Sequence, residues 1–130
     1  MIKLNLDNQT DYQLDRSFIQ EKVKQVLNYC LVDHVQLDLA IVNDLQIAPL
    51  NKQYLNHKGP TDVLSFPTFE SIAEIKKAPP LADEPTNIGQ LVVNYQQAER
   101  EAKDSSKTVK DKLSFYIEHG LMHLLGYHHQ

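Results

Sequence analysis

The chain has a single cysteine, Cys30, among its 130 residues. One thiol excludes an internal disulfide, so an ordinary core must hold the fold, and it suits a reducing compartment. Cys30 itself is expected to be a small core residue, the common fate of an unpaired cysteine. No stretch of 18 or more apolar residues is present, so no membrane span is expected. The amino terminus, MIKLNLDNQTDYQLD, alternates apolar and polar residues and lacks the hydrophobic core of a signal peptide. Repeats and low-complexity tracts are absent too. Positive charge is in deficit: 13 Lys and Arg against 17 Asp and Glu leave a net charge of −4. That balance does not advertise a nucleic-acid binder, which would need a local positive field to offset it. What remains is one cytoplasmic domain over 1–130, long enough to bury about two-thirds of its unfolded-chain surface.

The hydrophobic periodicity reads as α+β. Residues 2–6 alternate as a strand, and 15–31 form an amphipathic helix with Phe18, Val23, Val26 and Leu27 among its apolar positions. Residues 35–42 make a second strand, with Leu37, Leu39 and Ile41 on one face. Asn43 or Asp44 can cap a short helix running to Tyr54, weakened in its middle by Pro49. Strands follow at 62–66 and 88–93, and helices at 95–103 and 107–125. Between the third and fourth strands, 68–86 carries Pro79, Pro80 and Pro85 with mixed charge and reads as a loop or small insertion. The expected architecture is a four-stranded mixed sheet packed with four to five helices.

Chemistry concentrates in the last dozen residues, HGLMHLLGYHHQ. Three histidines stand there as H-x3-H-x5-H: His119, His123 and His129. Residues four apart share a helix face, so His119 and His123 can aim their rings at one point. A tetrahedral zinc ion needs further ligands from off the helix axis. Gly126 can stop the helix in a left-handed conformation and let the chain return with His129. Three protein ligands leave a fourth position open, the arrangement of a catalytic zinc site. His128, next door, could bind instead or orient a ligand from behind. Leu113, Ile117, Leu121 and Leu124 fall on the opposite stripe, which puts leucines towards the core and histidines towards a cleft. Zinc peptidases with H-E-x-x-H spacing use the glutamate after the first histidine as general base. Here that position is Gly120, and Glu118 points about 100° away from His119.

These residues resemble the H-G-x-L-H-L-x-G-Y-D-H signature of the YbeY family of bacterial endoribonucleases, which act in ribosomal RNA maturation and ribosome quality control. A second block agrees: Leu50, Asn51 and Tyr54, followed by PTDVLSFP at 60–67, is similar to the family's LN…Y…PTDVLSFP. The segment IGQLVV at 88–93 is similar to its L-G-D-I-V-I strand. The resemblance implies His119, His123 and His129 as ligands of one zinc ion, with single-stranded RNA as substrate and the ribosome as partner. It further implies a monomer with no role for DNA or membrane. Departures stand at four places: His128 replaces aspartate, Leu55 replaces an arginine linked to activity, Gln90 replaces aspartate, and the chain ends one residue past His129. Leucine cannot replace a planar cation suited to phosphate. A ribosome-associated metal-binding module with weak catalysis is therefore the competing reading, and another zinc hydrolase, such as a peptidase, the third. His57 and Lys58 are close in sequence to Leu55 but read as solvated loop positions.

No side chain is assigned as catalytic base. Metal-assisted phosphodiester hydrolysis is the expected chemistry, because a zinc ion polarises phosphoryl oxygens and brings the pKa of water to about 7. Asp62 and Ser65 are candidates for a substrate groove, although Thr61 and Asp62 after Pro60 also suit a turn. Lys112, seven residues before His119 and on the same helix face, is a candidate phosphate contact, near Lys107 and Lys110. Asn51 reads first as a polar residue on a helix surface and second as a groove residue.

Overall fold

Alternating side chains become four strands in the computed structural model, which describes residues 1–78 and 83–127. The strands are β1 (Ile2–Asn8), β2 (Val35–Val42), β3 (Val63–Pro67) and β4 (Thr86–Asn94). They form one sheet in the order β1-β2-β4-β3. β1, β2 and β4 run parallel, with Leu6 beside Leu39 and Leu39 beside Leu91. β3 lies antiparallel to β4, pairing Ser65 with Leu91 and Phe66 with Gln90. The sheet is mixed, as expected. The inner strands β2 and β4 are buried on both faces only in their second halves, from Leu39 and Leu91 onward; earlier, Asp38 and Gln90 are exposed on one face. β3 is an edge, and that edge is where the site opens.

The helices are α1 (Arg16–Tyr29), α2 (Asp44–Leu55), α3 (Ile72–Lys77), α4 (Tyr95–Ser105) and α5 (Val109–Leu124). On one face of the sheet, Ile19, Val23 and Leu27 of α1 and Leu113, Ile117, Leu121 and Leu124 of α5 bury against Leu37, Leu39, Ile41 and Leu91. On the other, Ile47 of α2 packs with Ala40, Val42, Leu64 and Val92 in a smaller cluster. Each fully buried leucine or isoleucine contributes roughly 1.5–3 kcal/mol. α5 is therefore the central helix of the larger layer, between α1, α4 and the sheet.

Two expectations need correction. The segment 68–86 holds a helix, α3. Ser71 Oγ accepts from the Glu74 N–H at 3.2 Å, and Glu74 Oε2 accepts from the Glu70 N–H at 2.8 Å. This cap starts a helix that puts Ile75 in the core, so the prolines do not make the whole segment a loop; Pro79 and Pro80 lie outside the described residues. The helix expected from Asn43 or Asp44 to Tyr54 is present as α2, which runs through the exposed Pro49 to Leu55. Cys30 is only half-buried, packed on the rim of the core with its Sγ 3.9 Å from Met122 Sδ. Burial there pushes its thiol pKa up, the direction of an inert rather than a reactive cysteine. Among the described residues no helix is long and apolar enough to cross a membrane.

Candidate functional site

α5 begins with a reciprocal cap. Thr108 Oγ1 accepts from the Asp111 N–H and Asp111 Oδ2 accepts from the Thr108 N–H, both at 3.1 Å. Four turns on, the leucine stripe is buried and the opposite side carries His119 and His123. Their ring centroids stand 4.7 Å apart with planes at 56°, so the two imidazoles share one mouth. The helix then stops at Gly126, with φ +91°. The Gly126 N–H donates to His123 O and the Tyr127 N–H to Met122 O, the paired bonds of a Schellman motif. A Cβ at Gly126 would come within 2.5 Å of Glu70 O, so a side chain is excluded by contact as well as by φ. Among the described residues no third His, Cys, Asp or Glu completes a metal-holding group with these two. His128 and His129, the candidates for that place, lie outside the described residues.

Gly120 has a separate job. It is buried where α5 crosses the sheet, and a Cβ there would meet Leu91 Cδ2 at 2.9 Å and Val63 Cγ2 at 3.0 Å. A glutamate base at this position has no room. Glu118 is directed elsewhere, 3.6 Å from Lys22 on α1. Neither residue that could serve a peptidase of the H-E-x-x-H type reaches the histidines.

The histidines face a cleft of about 660 Å³ whose other wall is the end of α2, the 57–62 loop and the β3 edge. Asp62 and Ser65 both line it, as expected of groove residues. Asp62 also serves its turn: Oδ1 accepts from the Val63 N–H at 2.7 Å. His57 and Lys58 are both exposed loop residues, as expected; His57 also lines the cleft and Lys58 does not. Leu55 sits in the wall, 52% exposed, where the resemblance called for arginine. Lys112 is absent from the lining, because seven helical residues carry it about 10 Å along α5 from His119. Gln90 is exposed on β4 and faces the open, polar side of the sheet beside Asp38 and Asn5.

Two buried asparagines shape this wall, and one was misjudged and one missed. Asn51 is only 3% exposed and no helix-surface residue: its Nδ2 donates to Gly59 O at 2.9 Å and ties down the loop. Asn94 is wholly buried at the end of β4. Its Nδ2 donates to Thr61 O at 3.1 Å and Asp44 Oδ1 at 2.7 Å, and its backbone N–H donates to Asp62 O at 2.8 Å. Its Oδ1 accepts from the Gln96 and Gln97 N–H groups and so caps α4. Arg100 completes the cluster with a forked pair of bonds to Asp44, 2.7 and 2.8 Å. That guanidinium holds the Asp44 carboxyl below the usual carboxylate range. The one signal for Asn94 in the sequence was its place between a strand and a helix, which suggests a cap but not a hub.

Fold and cleft together define a single α+β domain whose central helix presents two imidazoles to an open sheet edge. The profile of the family described as Endoribonuclease YbeY matches residues 5–130, and the chain belongs to that family. It is similar to Endoribonuclease YbeY of Mycoplasma mycoides, 32% identical across 100% of this chain and 78% of that protein. It is also similar to Endoribonuclease YbeY of Caldicellulosiruptor saccharolyticus, 31% identical over 98% of this chain and 85% of the relative. Among solved structures, the solution structure of TM1509 from Thermotoga maritima superposes with a TM-score of 0.61 at 25% identity. That superposition covers 100% of this chain and 75% of the other.

Proposed function

We propose that this chain is a zinc-dependent, single-strand-specific endoribonuclease acting in ribosomal RNA maturation and ribosome quality control. It works in the cytoplasm as a monomer and engages the ribosome. One observation carries the reading: in a member of the endoribonuclease YbeY family, His119 and His123 meet in a cleft of about 660 Å³. The donor set fits a divalent transition ion, since two neutral imidazoles on adjacent helical turns are ordinary zinc ligands; nickel, copper and iron accept the same donors. His129 is the proposed third ligand. Such an ion supplies Lewis acidity to a phosphoryl oxygen and makes water acidic near pH 7.

The protein's own groups would do the rest. Asp62, with Oδ1 engaged by the Val63 N–H, offers Oδ2 to a substrate hydroxyl or to water. Ser65 lines the same cleft, and its hydroxyl would donate to a phosphate oxygen. Leu55 in that wall favours a second reading, a ribosome-associated metal-binding module with little catalysis, because it gives phosphate no cation.

Incubation of the purified protein with single-stranded RNA separates the two. Cleavage that disappears in His123→Ala, with circular dichroism unchanged, is the expected result. Cleavage at the same rate in both proteins contradicts the proposal, and none in either favours the module. Products ending in a 2′,3′-cyclic phosphate identify the RNA's own 2′-hydroxyl as first nucleophile; their absence points to water.

A further inference from the structure

In the same cleft as the histidines, two aromatic rings meet. Tyr54, in the last turn of α2, and Phe66, on β3, pack edge to face with centroids 5.0 Å apart and planes at 71°. Phe66 is fixed from behind by the apolar cluster under α2. Tyr54 is 56% exposed, an unusual allowance for a large ring already held in place. Its neighbour Leu55 extends the same apolar surface. Among the described residues that line this cleft there is no lysine and no arginine.

A single-stranded nucleic acid offers a protein two kinds of handle, phosphates and base faces. Among the described residues the cleft walls offer the first hydroxyls and imidazoles but no lysine or arginine, and they offer the second a preorganised ring. A ring held by its edge contact loses little rotamer freedom when a ligand covers its face. Base faces are available only where the strand is unpaired, since a duplex uses them for its own stacking.

We infer that Tyr54, backed by Phe66, is a stacking platform for one unpaired nucleobase of the RNA strand in the cleft. The platform selects single strands by requiring a bare base face, and it is tolerant of base identity because every base has one. This inference rests on the endoribonuclease reading and names a binding subsite for it.

The test uses the protein as purified and a short, fluorescently labelled oligoadenylate with 2′-O-methyl groups, followed by anisotropy. Cleavage of the unmodified oligoadenylate is measured in parallel. Tyr54→Ala is expected to weaken binding by about tenfold to a hundredfold, and Tyr54→Phe by less than about twofold. The ratio of alanine variant to wild type should be the same at low and high salt, because the ring displaces no counterion. An abasic backbone of equal length should bind the wild type and Tyr54→Ala alike. Equal affinity of Tyr54→Ala and wild type for the oligoadenylate overturns the platform, as does a phenylalanine variant as weak as the alanine one. If the wild type cleaves the RNA in those cases, only the platform falls. A wild type that neither binds nor cleaves removes the endoribonuclease reading and the platform together.

Discussion

The two walls of the cleft are built by different means. The α5 wall is local: a cap at Thr108, leucines at helical spacing, and a glycine stop at Gly126 deliver His119 and His123. The facing wall is assembled at a distance. Thr61 and Asp62 are held by Asn94, more than thirty positions later in the chain, and Asn94 is held in turn by Asp44 and Arg100. Buried leucines and close helix–sheet packing make the first wall part of the core. Hydrogen bonds make the second wall adjustable. Damage to the first should therefore unfold the protein, and damage to the second should spare the fold and spoil the site.

Gly120→Glu tests the first wall and should have the largest effect. The side chain would overpack Leu91 and Val63 and bury a carboxylate with no partner, a loss of about 3–5 kcal/mol. A wild-type midpoint in urea unfolding would show that the helix does not lie so close to the sheet. Asn94→Ala tests the second wall. It strands the Thr61 carbonyl and removes a bond from Asp44, for about 1–3 kcal/mol of stability. RNA cleavage should fall further than the folded fraction does, because Thr61, next to Asp62 in the cleft wall, loses the side-chain bond that holds it; equal losses in both measurements would mean that Asn94 is only structural.

Asp44→Asn should have the smallest effect and a defined pH dependence. The folded-state pKa of Asp44 is lowered, chiefly by Arg100, so its contribution is complete above the ordinary carboxylate value of about 3.9 and is lost as pH falls through the lowered one. Both partners are partly exposed, so the contribution is at most about 1 kcal/mol. Wild type should be more stable than Asp44→Asn at pH 7, with the gap closing in strong acid. A gap constant down to pH 2 would assign the effect to something other than the charge pair.

The same contrast explains what could be read from the sequence. Element types, the leucine stripe and the two histidines follow from spacing along one chain segment, and spacing is visible. Asp62 and Ser65 were found through a motif, not through physics. Asn51 looked like a surface residue because a polar side chain in a short helix usually is one; that its Nδ2 would meet Gly59 depends on how the following loop returns. Lys112 shows the opposite error. Angular position on a helix ignores rise, and two turns took it out of reach of the cleft. The small helix α3 was overlooked although Ser71 and Glu74 form a recognisable cap, since three nearby prolines weighed more heavily.

The central claim is that the imidazoles of α5 hold a divalent ion. Elemental analysis of protein purified without a histidine tag tests it most directly, with His123→Ala prepared in parallel. One zinc per chain in the wild type and none in the variant, at equal helix content, is the predicted result. Equal metal in both proteins, or none in either after growth with zinc, would contradict it.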